Sequence, residues 1–192
     1  MCKKLYHVVK EREAYKFPGG YIYMPLQNAE DNLKEFGKEL NIEGLKFDEN
    51  NTCILGIDDT FSLHLTYEPN SDRLYLYSPV LDGLPRDDKN RLKLYERLLE
   101  GSMLGGQMAG GGVGIAVKEE LILIHCTLDM AHALSSALRS FAPLYVETVE
   151  KWRKIAMDIS EGREPSEISP SNKGPIRPGS LSTGAGPGFI RG

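Results

Sequence analysis

The stretch TCILGIDDTFSLHLTYEPNSDRLYLYSPV, residues 52–80, decides the fold. In its middle, Phe61, Leu63, Leu65 and Tyr67 alternate with Ser62, His64 and Thr66. That period of two marks a strand with one buried and one polar face. Asp58-Asp59 before it and Glu68-Pro69-Asn70-Ser71-Asp72 after it are turn compositions. The reading is therefore three strands, Thr52–Ile57, Thr60–Tyr67 and Arg73–Val80. Joined by such short connections, they form an antiparallel meander.

Helical spacing appears on both sides. Upstream, Leu33, Phe36 and Leu40 recur on one face of a helix expected over Asn28–Leu40, with Asn28 as its cap and Glu30 and Asp31 in its first turn. Downstream, Pro85-Arg86-Asp87-Asp88 leads into a second helix over Lys89–Met103, where Leu92, Tyr95 and Leu99 share a face that Leu94 and Leu98 widen. Two more strands, Val113–Val117 and Leu121–Leu128, flank the tight link Lys118-Glu119-Glu120. A long helix follows over Met130–Ile159, built on Leu134, Leu138, Phe141, Tyr145, Val149, Trp152 and Ile155, with a kink expected near Arg139, whose carbonyl the Pro143 ring would crowd. The order α-β-β-β-α-β-β-α is α+β: a compact antiparallel sheet flanked by three helices.

The 192 residues divide by composition into an extension (1–23), a folded body (24–160) and a tail (161–192). The extension carries five Lys/Arg against two Glu; Met24, just before the first helix, is read as a candidate natural start. The tail holds seven Gly, five Pro and five Ser, a composition expected to remain disordered. The body carries 14 Lys/Arg against 22 Asp/Glu, a balance that repels phosphate backbones and argues against nucleic-acid binding. No apolar run is long enough to span a bilayer. Three widely spaced cysteines, Cys2, Cys53 and Cys126, offer no disulfide framework or zinc knuckle, which points to a reducing cytoplasm.

The search for chemistry is mostly negative. The glycine run from Gly105 to Gly114 lacks the lysine of a P-loop and the spacing of a dinucleotide fingerprint, and it precedes a strand instead of opening a helix. His125, Cys126, Asp129 and His132 cluster in sequence, without a recognised metal-ligand spacing. Ser102 lacks a nucleophile elbow. No cofactor or metal is expected. A small ligand-binding enzyme using residues 105–114 or the His125/His132 region stays open as the alternative to a binding protein. Apolar residues beyond the needs of one small sheet favour association.

Several stretches carry a family resemblance: Asn28 to Leu33 with Phe36 and Leu40, Cys53 to Ile57, Phe61 to Tyr67, Leu74 to Val80, Tyr95 to Gly112, Leu121 to Leu128, and the long final helix with Trp152. The chain resembles the class I chaperones of bacterial type III secretion, the Tir-chaperone-like family. Over Leu98–Gly114 it is most similar to the SycE-like branch of chlamydiae. The resemblance covers about Asn28 to Asp158. It implies a cytoplasmic, non-enzymatic homodimer paired through its second helix and the strand after it. It further implies that secreted effector proteins are bound by their N-terminal segments in extended form, and delivered to a secretion ATPase or sorting components. By that analogy Leu92, Tyr95, Leu98 and Leu99 are expected at the dimer interface. Leu33, Phe36, Leu40, Phe47, Leu63 and Leu65 are expected to receive cargo.

Overall fold

A computed structural model describes residues 25–165; the expectations for the extension and for all but the first residues of the tail lie outside them. Five strands form one antiparallel sheet: β1 (Thr52–Ile57), β2 (Phe61–Glu68), β3 (Arg73–Asp82), β4 (Gly112–Ala116) and β5 (Leu121–Asp129). Their spatial order is β1-β2-β3-β5-β4, which leaves β1 and β4 as the edges. The helices are α1 (Pro25–Glu39), α2 (Asp88–Ser102) and α3 (Ala137–Ser160). The α+β class and the element order are those expected.

The meander forms because its apolar parity and its turns agree. Leu65 pairs with Cys53 on one side and Leu76 on the other, and Leu76 pairs with Cys126. Every odd-numbered residue of β2 from Phe61 to Tyr67 therefore faces the same buried layer. Asp58 and Asp59 adopt φ of 45° and 55°, the left-handed conformation a tight hairpin turn requires and that Asp tolerates better than most residues. Against the buried face lies α3, whose Tyr145, Val149 and Trp152 are fully buried. α1 packs on α3, and α2 packs on α3 and β4.

Most boundaries shift by one or two residues from the sequence reading, and two helix starts shift by three or more. α1 opens three residues earlier, at Pro25, a residue preorganised for the first helical turn. Asn28 thus lies inside the helix, and instead of capping it donates 2.8 Å hydrogen bonds to the carbonyls of Met130 and Ala133. α3 begins at Ala137, not Met130. Met130 N–H bonds the Asp72 carbonyl at 2.9 Å, and Asp129 Oδ1 accepts Ala131 N–H, so this stretch stays with the sheet as a turn. Pro143 sits inside α3, which runs continuously through it.

Candidate functional site

The free edge of β1 is the first feature with binding capacity. Tyr67 N–H donates to the Asn51 carbonyl. In an antiparallel ladder, that parity turns the peptide groups of Cys53, Leu55 and Ile57 toward β2 and those of Thr52, Ile54 and Gly56 outward. Asp48 satisfies Thr52, its N–H donating to the Thr52 carbonyl and its Oδ1 accepting the Thr52 N–H. Ile54 and Gly56 are left facing outward with no backbone partner among the described residues. The Ile54 side chain is 59% exposed, and the strand has no proline, charge or bulge to discourage pairing.

Near this edge, α1 and the segment leading to β1 enclose a groove of about 830 Å³. Gly37 lets that segment cross close, since a side chain there would press on the Ile42 carbonyl and on Leu45. Ile42, Leu45 and Phe47 give the groove apolar lining, and Glu30, Lys34, Glu43 and Lys46 rim it. Leu45, Lys46 and Phe47 form no backbone hydrogen bond among the described residues. On the exposed side of α1, the Lys38 ammonium, 2.5 Å from Glu35, holds that carboxyl below the usual carboxylate range.

The expected cargo residues separate on burial. Leu33, Phe36, Leu63 and Leu65 are core residues, so they are not a surface of this protomer. On β2 the apolar parity is the buried one, and the opposite parity carries His64 and Thr66 instead. On α1, Leu33 and Phe36 lie on the inward face. Leu40 is exposed and Phe47 half-buried beside the groove. Ile42 and Ile54, absent from the expected set, are accessible apolar residues here as well.

A second apolar surface runs along α2. Leu94, Leu98 and Gly101 face inward; a side chain at Gly101 would collide with the Trp152 ring. Leu98 is accordingly core, not interface. Leu92 and Leu99, seven residues apart, form an outward ridge continued by Met103 and by Leu104, which is 99% exposed. Tyr95 is half-buried beside it. Exposed Ile115 and Val117, on β4 and just beyond it, extend the apolar surface.

The glycine run is folded around a tryptophan. Trp152 Nε1–H donates to the Gln107 carbonyl at 2.8 Å. Gly105, at φ 69°, stacks on the backbone of Gly110 so closely that no side chain fits. The histidine cluster does not converge. His125 projects on the exposed sheet face and Cys126 on the buried one, where burial pushes its thiol up to about 12. His132 lies at the surface, its Nδ1 2.9 Å from Asp129 Oδ2. Among the described residues no three His, Cys, Asp or Glu side chains are grouped to hold a metal, and no helix is long and apolar enough to cross a membrane.

A family model described as the Tir chaperone protein (CesT) family matches residues 31–153, nearly two-thirds of the chain. This protein belongs to the Tir chaperone family. Its members' fold recurs in solved structures. The HopA1–SchA chaperone–effector complex contains a chain 24% identical, with a TM-score of 0.54 over 67% of this chain and 94% of that one. The ExsC–ExsE complex gives 15% identity and a TM-score of 0.57 over 68% and 95%. The Yersinia pestis type III secretion chaperone SycH, bound to a stable fragment of YscM2, gives 18% and 0.50 over 65% and 98%. These likenesses establish the Tir chaperone fold. No curated protein sequence matches the chain.

Proposed function

We propose that this Tir chaperone family protein is a cytoplasmic, non-enzymatic type III secretion chaperone. It binds the N-terminal segments of secreted effectors in extended form, keeps them secretion-competent, and passes them to the secretion ATPase or its sorting components. The observation that carries this reading is the open edge of β1 beside the α1 groove. An incoming extended segment pairs its backbone with Ile54 and Gly56, a contact that tolerates many sequences, while its apolar side chains enter the groove by Ile42, Leu45 and Phe47. The α2 ridge of Leu92 and Leu99, with Leu104 and Ile115, pairs two copies into a homodimer, so each dimer presents two such edges.

The energetics suit a client that must stay unfolded. A fully buried large apolar side chain contributes about 1.5–3 kcal/mol. Fixing each cargo residue costs about 1–2 kcal/mol of backbone entropy. Only segments dense in apolar anchors are held, and the stretches between them remain unordered. No bond is made or broken, so no catalytic group is required.

Isothermal titration with the N-terminal fragment of a secreted effector from the same bacterium tests the proposal. The native chain should bind saturably. Ile54→Lys, which adds a charge to an exposed edge position, should weaken binding at least tenfold and leave the circular dichroism and unfolding midpoint unchanged. Equal affinity for the variant would remove the β1 edge from the mechanism.

A further inference from the structure

α3 has an unusual beginning. Ser136 precedes its first residue but makes no side-chain capping hydrogen bond. The cap comes instead from another helix: Oδ1 of Asn32, on α1, accepts the Leu138 N–H at 2.9 Å. Asn32 is fully buried, and its Nδ2 donates to the carbonyls of Leu134 and Asn28 at 3.0 Å each. Five residues beyond Leu138, Pro143 has no N–H, so the Arg139 carbonyl receives no helical donor. Residues 137–142 are thus joined to the rest of α3 by an incomplete ladder, and one of their N-terminal donors, the Leu138 N–H, depends on α1, while the Ala137 and Ser140 N–H groups bond the Leu134 and Ser136 carbonyls. Proline is favoured as a first helical residue, so the helix has a second possible start at Pro143. The exposed Arg139–Glu39 pair, at 4.0 Å, adds only a weak tie to α1.

We infer that Asn32 latches the opening turns of α3 to α1, so that residues 137–142 stay helical only while α1 is seated. With α1 displaced, Leu138 N–H loses its acceptor and the helix shortens toward Pro143. Because α1 is one wall of the groove, a segment bound there would set the balance of the latch; this use rests on the cargo reading, whereas the latch itself does not.

Amide hydrogen exchange on the full chain tests both parts. Asn32→Ala should accelerate exchange at Leu138–Ala142 roughly tenfold, the scale of a lost cap, and leave Val149–Ile159 nearly unchanged. Adding Ser136→Asp, a local cap, should restore the slow rates. Unchanged rates at 138–142, or equal acceleration along all of α3, would overturn the latch. Should Asn32→Ala fail to fold, Ser136→Asp and Pro143→Ala in the otherwise native chain should each slow the 138–142 amides; no slowing in either overturns it as well. Finally, the effector fragment used in the titration above should slow the same amides on binding. A fragment that binds without moving them would overturn the coupling to the groove and leave cargo binding intact.

Discussion

Gly101 shows how a single position can oppose two principles. It lies inside α2, where replacing Gly with Ala ordinarily adds about 1 kcal/mol of helix stability. Here the added methyl would meet the Trp152 ring, itself fixed by its bond to the Gln107 carbonyl. Overpacking of a rigid core typically costs about 1–3 kcal/mol and here exceeds the propensity gain. Gly101→Ala should therefore destabilise the protein by up to about 2 kcal/mol, read as a lower urea midpoint with an unchanged slope. A raised midpoint would show that Trp152 yields. Asn32 is the polar counterpart: its side chain is buried only because each of its polar atoms has a partner. Neither role is visible in sequence. A glycine in a helical pattern reads as a weak point, and an asparagine inside one gives no sign of a distant partner; the partners of these two lie 51 and 106 residues away.

At the scale of elements, strand parity was legible and the choice of face was not. The alternation in residues 61–67 establishes that Leu63 and Leu65 share a side with Phe61 and Tyr67. Whether that side meets a helix or a guest depends on α3, which starts 70 residues downstream of Tyr67. The same limit applies to α2. Its wide apolar stripe is two faces: Leu94, Leu98 and Gly101 turned to Trp152, and Leu92 and Leu99 turned outward. Spacing alone could have separated them, because positions 92 and 94 lie about 200° apart round a helix, and 99 repeats the first while 98 and 101 repeat the second. Replacing Leu92 and Leu99 together with Asp should convert the proposed dimer into a monomer at micromolar concentration, measured by light scattering after size exclusion. Both side chains are exposed, so the helical circular dichroism should persist. A dimer that survives the double substitution would place the seam elsewhere.

For the whole molecule, the arrangement separates three tasks. α3 and the buried sheet face supply the core, the α2 ridge and β4 form the proposed pairing surface, and the β1 edge with the α1 groove, the proposed cargo site, lies at the opposite end of the strand order. On this proposal self-association and cargo capture occupy opposite edges of one sheet and need not compete. The central claim is that cargo adds a strand to β1, and ladder parity makes it testable at single residues. Amide exchange is measured with and without a saturating effector N-terminal fragment. The account predicts at least tenfold slower exchange at Ile54 and Gly56, with Leu55 between them unchanged because its N–H already bonds β2. Exchange at Ile54 and Gly56 that stays unaltered while the fragment is bound would contradict it.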